Sequence, residues 1–132
     1  ELVEAAALLH DVAKGRPRHE QAGGELLFSL GFDQAAAIVA AHRDIALPPE
    51  APVTEREIVY LADKFVHGRQ LVPVPVRFGQ KLALFAHDPE AVAAITRRRQ
   101  NALTVLARVE AGLSRPLADI LADTGLDWEV LP

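Results

Sequence analysis

The chain has 132 residues, half of them hydrophobic, which is typical of one compact domain with a single core. It contains no cysteine, which excludes disulfides and thiolate metal sites, so any metal must be held by imidazole and carboxylate groups. The net charge of -4 disfavours general nucleic-acid binding, and the lack of an apolar run of about 20 residues or a signal peptide predicts a cytoplasmic protein without a membrane partner.

The first part of the chain is predicted to form two helices. Residues 1–13 continue an apolar helical pattern, which is closed by Gly15 and Pro17. A second helix is predicted over 19–30, with Gly31 as its C-terminal stop.

A third and a fourth helix are predicted next, with a loop between them. Asp33 is expected to cap the third helix, which ends near His42. The prolines within 45–52 exclude a helix there. Thr54 and Glu57 have the spacing of a capping box and predict the start of the fourth helix.

The second half of the chain is also predicted to be helical. A short helix is expected over 76–86, after two prolines. Asp88 followed by Pro89 predicts the start of a longer helix that continues to residue 111, and a last helix is expected over 116–123. The three consecutive arginines at 97–99 predict a solvated helix face, because neighbouring helical positions point in different directions. The fold class is therefore all-α.

The segment ALLHDVAKG at 7–15 carries the first candidate site residues, His10 and Asp11. Burial of an unpaired carboxylate is strongly unfavourable, and a bound cation removes that cost. Alone, the pair is better explained by a capping Asp beside an exposed His. Yet His42 closes the third helix and Asp63 lies in the apolar part of the fourth, so these groups can converge in a bundle. Imidazole and carboxylate suit divalent Fe, Mn, Zn or Mg at a hydrolytic centre.

These segments resemble the HD-domain metal phosphohydrolases, whose signature is an upstream His, a His-Asp pair and a distant Asp. LLHDVAKG at 8–15 is similar to the family's central motif, and IVYLADK at 58–64 to the segment with the final Asp. The resemblance implies an HD-domain-like helical bundle of about six helices. Residues 1–132 would form one such domain, with a metal-binding core at about 1–68 and C-terminal helices at 76–124.

The front of the pattern departs from the family, because no His precedes His10. Glu1 would fall inside the second helix of the family's fold, so we expect the domain to be truncated at its N-terminus and to lack the helix with the first His. A site that lacks this ligand altogether is the alternative.

The resemblance implies roles for several residues. His10, Asp11 and Asp63 would bind a first metal, and Asp11 would bridge to a second metal held by His19 and His42. Both a one-metal and a two-metal site remain open, and the orientation of His19 decides between them.

Lys14 would hold a substrate phosphate oxygen, which makes Asp11 and Lys14 the predicted catalytic residues. Weaker candidates for phosphate contacts, each also explained as a surface charge, are Arg16, Arg18, Lys64 and Arg69. Two histidines are excluded from the site: His67 as a residue at a helix C-terminus, and His87 as the neighbour of a capping Asp.

The leading hypothesis is a phosphohydrolase that cleaves a phosphoester or phosphoanhydride of a nucleotide or related small phosphate, with one or two divalent metal ions. The alternative is a non-catalytic HD regulatory module that binds a metal or nucleotide within a larger protein. An upstream domain or a homodimer would be the protein partner in either case. Metal-dependent release of phosphate distinguishes the two.

Overall fold

The computed structural model describes residues 1–126 and Trp128. This part of the chain contains seven α-helices and one two-stranded hairpin, which confirms the all-α fold class. Their bounds, in chain order, are α1 Leu2–Leu9, α2 His19–Ser29, α3 Asp33–Ala41, α4 Glu55–Phe65, β1 Val66–His67, β2 Gln70–Leu71, α5 Val74–Leu84, α6 Pro89–Ala111 and α7 Leu117–Ala122. None of the described helices is long and apolar enough to cross a membrane.

The chain forms two compact units, residues 1–60 and 61–132. The single domain predicted over 1–132, with its core at 1–68, stays a prediction.

Close packing of α2 on α3 organises the first unit. An added Cβ on Gly24 would lie 2.9 Å from the Cβ of Ala40, and one on Gly23 would lie 3.1 Å from Cγ1 of Val39. Glycine at these two positions therefore lets the two backbones approach each other closely. The apolar cluster of this unit consists of the buried residues Leu27, Ala35, Ala36 and Val39, with Leu2 and Leu9 packed against them.

The first helix ends earlier than predicted. α1 stops at Leu9, and a succession of tight turns follows, in which the N–H of Val12 donates to the carbonyl of Leu9 (3.0 Å) and that of Lys14 to Asp11 (2.9 Å). These turns keep Ala13 buried at 7% exposure, so the apolar pattern continues although the helix does not. The prediction of helix through residue 13 was wrong for this reason.

The capping predictions for α3 and α4 have different outcomes. Asp33 is the first residue of α3, Phe32 occupies the cap position, and no side-chain hydrogen bond caps the helix, so the predicted role of Asp33 was wrong. At α4 the N–H of Thr54 donates to Oε2 of Glu57 (2.9 Å), as a capping box requires, and the Thr54 hydroxyl donates to the same oxygen (2.6 Å). This places an almost fully buried Glu57 in the first turn of α4.

The second unit begins with the last turns of α4 and the β1–β2 hairpin. Val66 pairs with Leu71 and His67 with Gln70, around a turn in which Gly68 has a φ of 62°. His67 therefore lies in a strand, and its predicted place at a helix C-terminus was wrong.

The other helices of the second unit are α5, α6 and α7. α5 begins at Val74, two residues before the predicted start, because Pro75 lies in the first turn, where a helix does not need its N–H. α6 has the predicted start, since Oδ1 of Asp88 accepts hydrogen bonds from the N–H groups of Glu90 and Ala91. α5 and α6 pack against each other.

Candidate metal centre

His10 lies at the C-terminal end of α1, where helix carbonyls lack partners within the helix. Its Nδ1 is 2.6 Å from the carbonyl oxygen of Ala7. A carbonyl oxygen only accepts hydrogen bonds, so Nδ1 carries the proton and donates it there. When the ring is neutral, the other nitrogen, Nε2, presents a lone pair, and it lies 3.6 Å from Oδ2 of Asp11.

His42 repeats this arrangement at the C-terminal end of α3. Its Nδ1 donates to the carbonyl oxygen of Val39 over 2.6 Å, and its Nε2 lies 3.7 Å from Oδ1 of Asp11. The residue is buried, with 2% exposure. The rings of His10 and His42 meet edge to face, with their centroids 5.0 Å apart.

His19, the first residue of α2, approaches Asp11 from a third helix. Its Nε2 is 3.4 Å from Oδ1 of Asp11, its Nδ1 is 3.7 Å from Oε2 of Glu20, and its ring centroid is 5.3 Å from that of His42. The preceding Arg18 has a φ of 48°, in the left-handed region that non-glycine residues rarely adopt. The ring of His19 thus points toward Asp11, the orientation on which the two-metal hypothesis depends.

The geometry of these groups fits a cation. Three imidazole Nε2 atoms face one carboxylate at 3.4–3.7 Å, beyond the usual length of a charge-assisted hydrogen bond. The ligand atoms of His10, Asp11 and His42 all lie within 4.8 Å of one another. Neutral imidazoles with their second nitrogen held by another acceptor are the form in which histidine binds a metal. The donor set suits Zn²⁺, Fe²⁺ or Mn²⁺.

Asp11 is ionised at neutral pH. Its partial burial raises the pKa, but the hydrogen bond from Lys14 and the nearby His10 and His42 outweigh that effect, so the pKa is below its ordinary value of 3.8. Nζ of Lys14 lies 2.9 Å from Oδ2, while Oδ1 faces His19 and His42. The two carboxylate oxygens therefore point to different partners.

Glu20 is a neighbour of this cluster that the sequence interpretation missed. Its Oε2 is buried and makes no hydrogen bond to any described residue. The nearest charged or titratable groups are Nδ1 of His19 at 3.7 Å and Nη1 of Arg43 at 3.8 Å. The only signal in the sequence was the direct succession of His and Glu at the start of α2.

Asp63 and Lys64 belong to the second unit and contact each other. Nζ of Lys64 donates to Oδ2 of Asp63 over 3.0 Å, and Nη1 of Arg77 donates to the backbone carbonyl of Asp63 over 2.6 Å. Lys64 is buried at 8% exposure, so it is not an ordinary surface charge. The role of Asp63 as a metal ligand stays a prediction.

The remaining phosphate-contact candidates are Arg16, Arg18 and Arg69. All three are exposed. Arg69 lies in the turn between β1 and β2, and Arg18 directly precedes α2. Their contacts with phosphate stay predictions.

Comparison with known families assigns the chain. The family described as HD domain matches residues 1–67. The chain belongs to the HD domain family. The matched residues include His10, Asp11, His19, His42 and Asp63, and HD domains are generally hydrolases that bind divalent metals.

The chain is also similar to an uncharacterized protein of Methanocaldococcus jannaschii. It is 33% identical over 91 residues, which cover 56% of this chain and 54% of the relative. The chain thus spans about half the length of this relative. No solved structure matches the chain.

Proposed function

We propose that this HD domain is a metal-dependent phosphohydrolase that cleaves a phosphoester or phosphoanhydride bond of a nucleotide or a related small phosphate. The observation that carries the proposal is the shared orientation of His10, His19 and His42. Each of them turns Nε2 toward Asp11, and in His10 and His42 a backbone carbonyl holds the Nδ1 proton.

His10 and Asp11 would hold the first cation, with Asp63 as a proposed further ligand, and Asp11 would bridge to a second cation held by His19 and His42. A bound divalent cation supplies polarisation of water and neutralisation of phosphate charge. Fe, Mn, Zn and Mg all suit these oxygen and nitrogen ligands to different degrees.

Lys14 is the residue best placed to contact a substrate phosphate near Asp11. Its side chain is 76% exposed and its Nζ is 2.9 Å from Oδ2 of Asp11. A flexible ammonium group can exchange that carboxylate for a phosphate oxygen without burial of a charge. We infer that Lys14 binds the phosphate, while Asp11 keeps its orientation through the backbone turns at 10–15.

Release of inorganic phosphate tests the proposal. Protein stripped of metal and reloaded separately with Mn²⁺, Fe²⁺, Zn²⁺ or Mg²⁺ is incubated with nucleoside monophosphates, nucleoside triphosphates and an aryl phosphate. Phosphate or pyrophosphate is expected with at least one metal, and Asp11→Asn is expected to remove this activity. The matched control is His87→Ala, because His87 is exposed and lies between α5 and α6.

Metal retention without turnover of any of these substrates would contradict the proposal. It would favour the alternative, a regulatory module that binds metal or nucleotide without hydrolysis. Activity that survives in Asp11→Asn would show that the catalytic centre lies elsewhere.

A further inference from the structure

The second unit has a basic surface cavity that the proposed function does not use. The cavity has a volume of about 240 Å³ and is lined by His67, Val72, Arg77, Gln80, Lys81 and Leu84. Arg77 and Lys81 lie one turn apart on α5, so both side chains leave the same face of that helix. The volume is sufficient for a small organic anion, since one water molecule occupies roughly 30 Å³ in the liquid.

Three cations and one anion act electrostatically on Lys81. Burial lowers the pKa of Lys81, and so do the nearby cations Arg77, Lys64 and Arg98, whereas Asp63 is the anion that opposes them. No carboxylate lies within ion-pairing distance of Lys81 in the part of the chain that the structure describes. Arg98 is partly buried, so the solvated face predicted for the three arginines at 97–99 was wrong at this position. An anion in the cavity would relieve this repulsion.

The guanidinium of Arg77 is held in place and still has donors to offer. Its Nη1 donates to the carbonyl oxygens of Asp63 (2.6 Å) and Val66 (2.7 Å). Its Nε and Nη2 groups make no hydrogen bond to the described residues. An arginine fixed by two backbone carbonyls loses little entropy when it binds a phosphate through its remaining N–H groups.

Two residues of the cavity lining are apolar. Val72 is almost fully buried, and Leu84 is 69% exposed although it is a large hydrophobic residue. A ligand that only carried charge would leave the side chain of Leu84 in water. We propose that the cavity binds an organic phosphate, with the phosphate group between Arg77 and Lys81 and the apolar group of the ligand against Val72 and Leu84.

Binding of an organic phosphate to the cavity does not depend on hydrolysis. It is tested on the full chain by calorimetric titration in EDTA with phenyl phosphate, inorganic phosphate and phenol as probes. Phenyl phosphate is expected to bind more tightly than either of the other two.

Two substitutions test the charged and the apolar residues of the cavity lining separately. Lys81→Ala is expected to weaken phenyl phosphate and inorganic phosphate alike by at least about 10-fold, and Lys81→Arg is expected to restore binding. Leu84→Ser is expected to weaken phenyl phosphate by about 5-fold and to leave inorganic phosphate unchanged. Arg97→Ala is the matched control, since Arg97 is an exposed arginine on α6.

Hydrolysis assays on the same variants keep the outcome for the cavity apart from the outcome for the proposed function. Loss of probe binding in Lys81→Ala without hydrolysis by any form of the protein would support the cavity and overturn the proposed function. Unchanged probe binding in both Lys81→Ala and Leu84→Ser would overturn the cavity, whether or not the protein hydrolyses phosphates.

Discussion

His42 donates its Nδ1 proton to the carbonyl of Val39 over 2.6 Å, and this bond turns Nε2 toward Oδ1 of Asp11, 3.7 Å away. The carbonyl lies in the last turn of α3, where the regular helical donor four residues on is missing, and it also accepts from the backbone N–H of His42 over 3.3 Å. His10 uses the last turn of α1 in the same manner. Two helix ends thus direct two imidazole lone pairs at one carboxylate.

The first prediction concerns His42. His42→Ala is expected to weaken binding of Mn²⁺ or Zn²⁺ by at least about 100-fold. Loss of a residue that only hydrogen-bonds to a metal ligand already weakens binding by up to about 100-fold, and loss of a ligand itself should weaken it at least as much. Isothermal titration of metal-free protein measures the affinity. The same loss is expected for His10→Ala, whose side chain is less buried. His87→Ala is the matched control and should bind metal as the unsubstituted protein does.

Circular dichroism of each histidine variant excludes loss of the fold as the cause. A folded His42→Ala protein with normal metal affinity would show that His42 is not a ligand.

The second prediction concerns His19 and Glu20. His19→Ala should roughly halve the bound metal and leave the first metal in place, because Nε2 of His19 lies on the Oδ1 side of Asp11. Glu20→Gln should weaken the second metal by about 10-fold, because a metal on Nε2 leaves the proton of His19 on Nδ1, and the negative charge of Glu20 at 3.7 Å favours that tautomer. Elemental analysis and titration measure the two quantities.

Glu25→Gln is the control for Glu20, because Glu25 is an exposed residue of the same helix. Unchanged stoichiometry in His19→Ala would leave a mononuclear site built on His10, Asp11 and the predicted ligand Asp63.

The third prediction concerns the contact between α2 and α3. Gly24→Ala should lower the free energy of unfolding by about 1–3 kcal/mol, because the new methyl group would lie 2.9 Å from Cβ of Ala40 and 3.1 Å from the carbonyl oxygen of Ala36. Gly79→Ala in α5 is the matched control, since no atom lies within 4 Å of its added Cβ. It should raise the stability by up to about 1 kcal/mol through helix propensity. Urea unfolding of both variants checks the opposite signs, and equal effects would contradict the steric argument.

The fourth prediction is a pH dependence that comes from Glu57. Its burial raises the pKa, but hydrogen bonds from Thr54 and Arg56 outweigh burial and hold the pKa below the ordinary value of 4.5. A carboxyl group whose pKa is lower in the folded state than in the unfolded state stabilises the fold when the pH is above the unfolded-state pKa. This stabilisation is lost as the pH falls through the folded-state pKa. Glu57→Gln should therefore cost about 1–3 kcal/mol at pH 7 and less at pH 3.

Urea unfolding at pH 7, 5, 4 and 3 measures this difference. Glu55→Gln, at an exposed position in the same turn, should change the stability equally little at every pH. A cost of Glu57→Gln that does not shrink on acidification would show that the charge of Glu57 is not what stabilises α4.

The sequence predicted the starts of α4 and α6, because each start depends on capping residues that are close together in the chain. Asp88 and Pro89 start α6 where they were expected to, because an Asp side chain reaches N–H groups two and three residues later and Pro suits the first helical turn. The spacing of Thr54 and Glu57 predicted α4 for the same reason. The sequence also indicated the candidate metal ligands, since imidazole and carboxylate groups can be recognised from residue type alone.

Tertiary structure decided what those ligands face. The sequence left the orientation of His19 open, and it did not indicate Glu20, the burial of Lys64 or the partial burial of Arg98, because burial depends on how distant parts of the chain pack. Within the first unit, α2 and α3 can approach closely because Gly23 and Gly24 leave room for Val39 and Ala40. The distance of 3.4 Å between His19 and Asp11 depends on how α2 lies against the turns that follow α1, and it is therefore absent from any local pattern of residues.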